Sequence, residues 1–356
     1  MNSLLNNIKV IELAGVLAGP AVGTFLAELG AEVIKIESPS GDVTRGWKLE
    51  KENKENPVSA YFSSVNYGKK FLTLDLRNQE YKNKLYDLIR ESDILITNYK
   101  KGDDVKLGAD YQTIKKINPQ IIYASINGYG EDSERTAFDA VLQAETGFMS
   151  MNGTPESGPI KMPVALIDVL AAHQLKEGIL AALINKMKTG KGCKVSVSLF
   201  DAALASLMNQ ASNWLMCEEI PKLQGSLHPN IAPYGETFQT SDGKYILIAV
   251  GSDAHFASLC TLTENDLLIN DLKFSSNHSR VKNRAALYPL LTEKFIKNTA
   301  VFWNTKMNEA KIPNGIIKNL KEVFEDENAK KLVINEKINN TETWRVKNTI
   351  FKITFE

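Results

Sequence analysis

The apolar positions near the start of the chain change period twice within about thirty residues. Val10, Ile11 and Leu13 form a short run bounded by Gly15, which predicts a strand over 8–13. A turn, Gly15-Val16-Leu17-Ala18-Gly19-Pro20, leads into a helix over about 21–29 that stops at Gly30, and a second strand follows over 31–37. Strand, turn, helix and strand in that order begin a parallel sheet. The alternation continues with strands over 71–76, 93–97, 121–127 and 194–198, and helices over 78–92, 110–118, 138–150 and 199–212. The pattern predicts an α/β fold, a Rossmann-like, doubly wound, mostly parallel sheet. Ligands on such sheets bind beyond the carboxyl ends of the strands. Arg77, Asn98-Tyr99 and Gly128-Tyr129-Gly130 fall at those ends.

The stretch around Asp168 carries the most chemistry. Pro163 to Ile167 reads as extended, and from Val169 the spacing of Ala172, Leu175, Ile179 and Leu183 predicts a helix to about Lys188. Asp168 then sits at the joint, where the first peptide N–H groups of a helix lack partners. It reads either as a cap or as an ionised carboxylate kept as a nucleophile.

After 217–233, a linker with three prolines, the pattern shifts. Runs at 235–238 and 245–250 flank Ser241-Asp242-Gly243, a hairpin signal. Helical patterns follow at 255–262, 284–297 and 300–310. The expected organisation is a large domain over 1–215, a linker over 216–232, a second, smaller α+β domain over 233–311, and a segment over 312–356 that returns to the large domain. Within that return, a helix is expected at about 322–332 and a β-rich stretch at 349–355, with 330–343 left unassigned.

Charge and composition exclude several classes. Lys plus Arg equals Asp plus Glu at 42 each, so no basic excess points to nucleic acid. No apolar run reaches the roughly 18 residues of a membrane span, and the first residues lack the basic and apolar regions of a signal peptide. Three scattered cysteines, Cys193, Cys217 and Cys260, read as reduced thiols of a cytoplasmic protein. The four histidines show no metal-ligand spacing, so no metal is expected. The Gly15–Pro20 turn lacks the G-x-G-x-x-G dinucleotide spacing.

Taken in order, a set of motifs resembles the class III CoA-transferases, the CaiB/BaiF family that also includes α-methylacyl-CoA racemase and formyl-CoA transferase. The set includes Val10-Ile11-Glu12-Leu13, Leu17-Ala18-Gly19-Pro20, Leu29-Gly30-Ala31-Glu32-Val33, Gly41-Asp42-Val43-Thr44-Arg45 and Leu74-Asp75-Leu76-Arg77. It continues through Thr97-Asn98-Tyr99, Phe138-Asp139, Asp168, Thr189-Gly190-Lys191-Gly192, Pro233-Tyr234-Gly235 and Ile312-Pro313-Asn314-Gly315, and covers about residues 8–325.

The resemblance implies that coenzyme A, as acyl-CoA, and a carboxylic acid are the substrates. It implies that Asp168 attacks the thioester, with Asp139 as a second acidic active-site residue. It places Val16, Leu17 and Ala18 beside the CoA thiol end, and Leu74, Arg77, Asn98, Tyr99, Lys106 and Leu107 around the nucleotide and phosphates. It also implies an interlocked homodimer. Departures matter too. Gly15 and Leu17 replace the His and Gln that resemble oxalate-handling features, and Ser38 replaces a basic residue. Phe138 stands where the racemase pattern has His, and Phe cannot shuttle a proton. His173 is expected to pack inside its helix. Transferase is the favoured reading; a 2-methylacyl-CoA racemase and a non-catalytic CoA-binding relative are the competing ones.

Overall fold

The computed structural model describes residues 4–354. They divide into two compact units. Residues 4–149, Lys161–Ile220 and 328–354 form the first, and Ser150–Ile160 with Pro221–Glu327 the second.

The first unit is built on six parallel strands: β1 (Lys9–Glu12), β2 (Glu32–Glu37), β3 (Lys69–Thr73), β4 (Ile94–Thr97), β5 (Ile122–Asn127) and β6 (Cys193–Ser198). Their order is β3-β2-β1-β4-β5-β6, so the winding reverses between β1 and β4. Successive side chains of a strand face opposite ways. Val10, Ile94 and Ile122 therefore join one core, with α1 (Ala18–Glu28) and the long helix Leu166–Thr189. Ile11, Leu95 and Tyr123 join the core on the other face, with α2 (Gln79–Arg90) and α3 (Tyr111–Ile117). Coverage on both faces explains why β4 is buried along its whole length. The expected α/β doubly wound fold is observed.

Several boundaries differ from those expected. Helix α1 begins at Ala18 rather than Ala21, which puts Pro20 inside its first turn, where a missing N–H costs nothing. The expected strand 71–76 is Lys69–Thr73 instead. Leu74 and Leu76 leave the strand and bury their side chains, at 3% and 5% exposed. The helix expected over 138–150 breaks after α4 (Asp139–Glu145), near Gly147 at φ +88°. The helix around Asp168, α5 (Leu166–Thr189), starts three residues before the expected Val169 and ends at Gly190, φ +68°. Its apolar stripe already includes Ile167, which lies one turn before buried Ala171. The helix expected over 199–212 is two: α6 (Leu199–Ala205) and a second over Asn209–Cys217, separated at Met208, φ +47°. Among the described residues no helix is long and apolar enough to cross a membrane.

The second unit holds the antiparallel strands β7 (Tyr234–Gln239) and β8 (Tyr245–Ala249), with β9 (Asn314–Ile316) on the far side of β8. Helices α7 (Asp253–Leu262), α8 (Arg284–Phe295) and α9 (Ala300–Glu309) supply its core. There Phe238 stacks on Phe295 with ring centroids 4.4 Å apart.

The tail corrects two expectations. The unassigned segment forms a hairpin, β10 (Val333–Ile338) and β11 (Thr341–Val346), turned by Asn339 and Asn340 at φ +47° and +63°. The β-rich stretch expected at 349–355 is not a strand over 349–354; Phe355 lies outside the described residues. Glu28 of α1 accepts from the Asn348 and Thr349 amides and pairs with buried Arg345, so those amides are engaged elsewhere than in a ladder. The expected helix 322–332 is two short ones, Leu320–Phe324 and Glu327–Lys330.

Candidate active site

A cavity of about 660 Å³ opens in the first unit beyond the carboxyl ends of β1, β4, β5 and β6. Gly15, Val16, Leu17 and Ala18 line it from the β1–α1 turn, and Asn98 and Tyr99 from the end of β4. Asp139 opens α4 into it and Asp168 reaches it from α5. This is the crevice at the point of winding reversal where such sheets bind ligands.

The two aspartates are placed differently from the sequence expectation. Asp168 is not the cap of its helix; it stands in the first turn, and Ala165 occupies the cap position without a capping side chain. Asp139 does the capping across space. Its Oδ1 accepts from the Ile167 amide at 2.7 Å, and its Oδ2 accepts from Gln143 Nε2 at 2.7 Å. Gln143 in turn accepts from the Met162 amide at 2.8 Å, which ties the approach to α5 onto α4. The orphan donor is thus satisfied by a neighbouring carboxylate. Asp168 is left partly buried, and its carboxylate forms no hydrogen bond among the described residues. Burial, and secondly the Asp139 charge beside it, push Asp168 up to about 7. A carboxylate of that basicity is a better nucleophile than an ordinary one and is still half ionised at neutral pH.

The turn that faces these aspartates is held firmly. Asn98 grips Gly15 on both sides: its Oδ1 accepts from the Gly15 amide at 3.0 Å, and its Nδ2 donates to the Gly15 carbonyl at 2.9 Å. The Asn98 side-chain amide thus braces the turn after β1 against the end of β4. Val16 adopts φ +70°, a left-handed conformation rare for a β-branched residue.

A second cavity of about 500 Å³ lies over the ends of β2 and β3, lined by Ile36, Ser38, Leu74, Arg77, Tyr99 and Leu107 among others. Tyr99 lines both cavities. Burial pushes its hydroxyl up to about 12, so the ring stays neutral. Arg77 is exposed and paired with Asp75 through Nε and Nη2, at 2.7 and 2.8 Å. Lys106 lines neither cavity; its Nζ pairs with Asp103 at 3.2 Å on the short helix Asp103–Leu107. The structure thus brings Val16, Leu17, Ala18, Asn98, Asp139 and Asp168 together, and groups Leu74, Arg77 and Leu107 in the adjoining cavity.

Tyr61 and Trp47 were missed. Their rings meet edge-to-face at 5.0 Å. Burial, then the charges of Asp168, Asp139 and Asp42, raise Tyr61 to about 12, which puts it within electrostatic reach of all three carboxylates. Nothing in the polar sequence around them signals this; only the fold does. His173, expected to pack, is exposed on α5 instead, and no histidine lines the larger cavity.

The chain belongs to CoA-transferase family III, whose profile matches residues 5–356, and by class it is a CoA-transferase. It is 35% identical to the succinate–glutarate CoA-transferase of Agrobacterium fabrum, over 90% of this chain and 82% of that one. Identity to human succinyl-CoA:glutarate CoA-transferase is 36%, over 91% and 74%. A CaiB/BaiF family protein from Brucella suis superposes with a TM-score of 0.86 at 38% identity, covering 99% of this chain and 93% of that one.

Proposed function

We propose that this chain moves CoA from an acyl-CoA to a free carboxylate, with Asp168 as the covalent relay. The Asp168 carboxylate attacks the thioester carbon, the C–S bond breaks, and CoA leaves as thiolate, giving an aspartyl–acyl anhydride. The thiolate then attacks the Asp168 carbonyl, releases the first acid and leaves an aspartyl-CoA thioester. An acceptor carboxylate reverses both steps, so no proton or electron is left over. Free amides at the start of α1 would stabilise the oxyanions. The observation that carries the reading is the contrast between the pair: each oxygen of Asp139 accepts a hydrogen bond, while Asp168 lines the cavity with no donor to it among the described residues.

Relatives named for succinate and glutarate point to a short dicarboxylate as acceptor and its thioester as donor. Lys100 and Lys101 line the same cavity and suit a second carboxylate. The adjoining cavity, with Tyr99 and Arg77, takes the CoA nucleotide. The racemase reading lacks its second proton carrier, since exposed Phe138 stands at that position. An interlocked homodimer completes the assembly. Leu215 and Met216 on Asn209–Cys217 are 78% and 83% exposed and Met187 on α5 is 86% exposed, apolar side chains that a partner copy would cover.

The test is a screen of acyl-CoA donors against mono- and dicarboxylates, read as new acyl-CoA by mass spectrometry. Asp168→Ala is expected to fold, bind CoA and lose about 10³-fold or more in turnover. Activity within about tenfold of wild type would sink the assignment.

A further inference from the structure

Beneath the Gly15–Ala18 turn lies a group of four buried charges. Glu12, at the end of β1, is fully buried and pairs with Lys35 at 3.1 Å and Lys69 at 2.8 Å. Lys35 also pairs with Asp42 at 3.2 Å, and the side chains of both are almost wholly buried. Two anions and two cations balance, which is the condition for keeping charge out of water at all. Such arrays often contribute little net stability compared with an apolar core, so the arrangement calls for another account.

The contacts beyond the ion pairs give one. Lys35 donates to the Ala14 carbonyl at 2.6 Å. Asp42 Oδ2 accepts from the Val16 amide at 3.2 Å, while its Oδ1 accepts from the Thr44 amide and hydroxyl at 3.0 and 2.7 Å. Lys69 donates to the Pro20 carbonyl at 2.9 Å and to Val65 and Asn66. The array therefore grips the chain before the turn, inside it and just after it. Among the described residues it leaves the Leu17 and Ala18 amides, beside the cavity, without an acceptor. Its packing is close: a Cβ on Gly23 of α1 would fall 1.8 Å from Glu12 Oε2. The strained residue is the one that Asp42 holds. Valine at φ +70° reverts to a relaxed conformation unless its surroundings fix it.

We propose that Asp42, anchored by Lys35, is a positioning residue for CoA transfer: it locks Val16 in the left-handed conformation that points the start of α1 into the cavity facing Asp168. The charges serve geometry; none of them touches the reacting atoms. The proposal rests on the CoA-transfer reading, and its test separates the two.

The test uses Asp42→Ala, the milder Asp42→Asn, and each combined with Val16→Gly. Glycine adopts φ near +70° without help, so it should relieve the need for Asp42. Two readouts are taken: amide hydrogen exchange at residues 15–18, which needs no activity, and kcat and KM for CoA transfer. Asp42→Ala is expected to speed exchange at 15–18 and to lower kcat about tenfold or more, with KM changing less. Adding Val16→Gly should recover several-fold of kcat. Should Asp42→Ala not fold, the same pattern is expected from Asp42→Asn at smaller amplitude. Unchanged exchange at 15–18, kcat within about twofold of wild type, or loss that Val16→Gly fails to relieve would each overturn the proposal. Faster exchange in a chain whose wild type transfers no CoA would retain the lock and remove the function assigned to it.

Discussion

Replacing Asp168 by Asn should make the protein more stable at pH 8 and leave it unchanged at pH 4. Burial and Asp139 lift the Asp168 carboxyl from 3.8 to about 7. That is roughly a thousandfold tighter hold on the proton in the folded state than in the unfolded chain, about 4 kcal/mol. The sign follows from linkage. A carboxyl whose folded pKa is raised stabilises the fold fully below about pH 4, and that contribution is lost as pH climbs to about 7. Above that, folding must hold an unpaired carboxylate in a poorly solvated site. Water in the open cavity trims the penalty to about 2–3 kcal/mol. Asn keeps the shape and removes the charge. At about 2 °C per kcal/mol for a chain of this size, the variant should melt about 4–6 °C above wild type at pH 8. Calorimetric melts at both pH values check this. Parallel pH–stability curves for the two proteins would refute the reasoning, because Asp168 would then carry no perturbed proton.

Asp139→Asn should move the rising limb of the kcat/KM pH profile to lower pH, since the charge that helps raise Asp168 is gone; an unmoved limb would show the two carboxyls to be uncoupled. Arg77→Ala should weaken CoA about tenfold by calorimetry and flatten its salt dependence. Asp75→Asn should instead tighten binding by freeing the guanidinium, and equal affinities in both variants would make Arg77 a bystander. Light scattering at micromolar concentration should give twice the chain mass, and a monomer would contradict the interlocked arrangement.

The winding of the sheet was readable because strand and helix periods alternate cleanly from residue 8 to residue 127, and glycines mark the turns. The cavity's position followed from that order, and the motif set pointed to Asp168. The start of α5 was misjudged because the run before Asp168 is apolar throughout, so its period was hidden; Ile167 belongs to the helical stripe. The acceptor that satisfies the Ile167 amide is Asp139, 28 residues away in sequence, and capping across space leaves no local signal. The same is true of Asp42, 26 residues from the amide it holds. Tyr61 was unreadable for a related reason: it lies near three carboxylates that only the fold assembles, and Trp47 joins it through a ring contact between residues 14 apart in sequence. The β-rich look of 349–354 failed because Glu28 engages the Asn348 and Thr349 amides.

The central claim, that Asp168 carries CoA covalently, is tested most directly by mass analysis of the peptide containing it. Wild-type protein is mixed with an acyl-CoA donor, quenched in acid, digested with trypsin and mapped. Cleavage after Lys161 and Lys176 gives the segment 162–176, in which Asp168 is the only carboxylate side chain. The account predicts that this peptide gains the mass of CoA less one water, and that borohydride removes the adduct and converts residue 168 to the corresponding alcohol. Turnover by an enzyme whose 162–176 peptide stays unmodified while an adduct forms elsewhere, or nowhere, would contradict it.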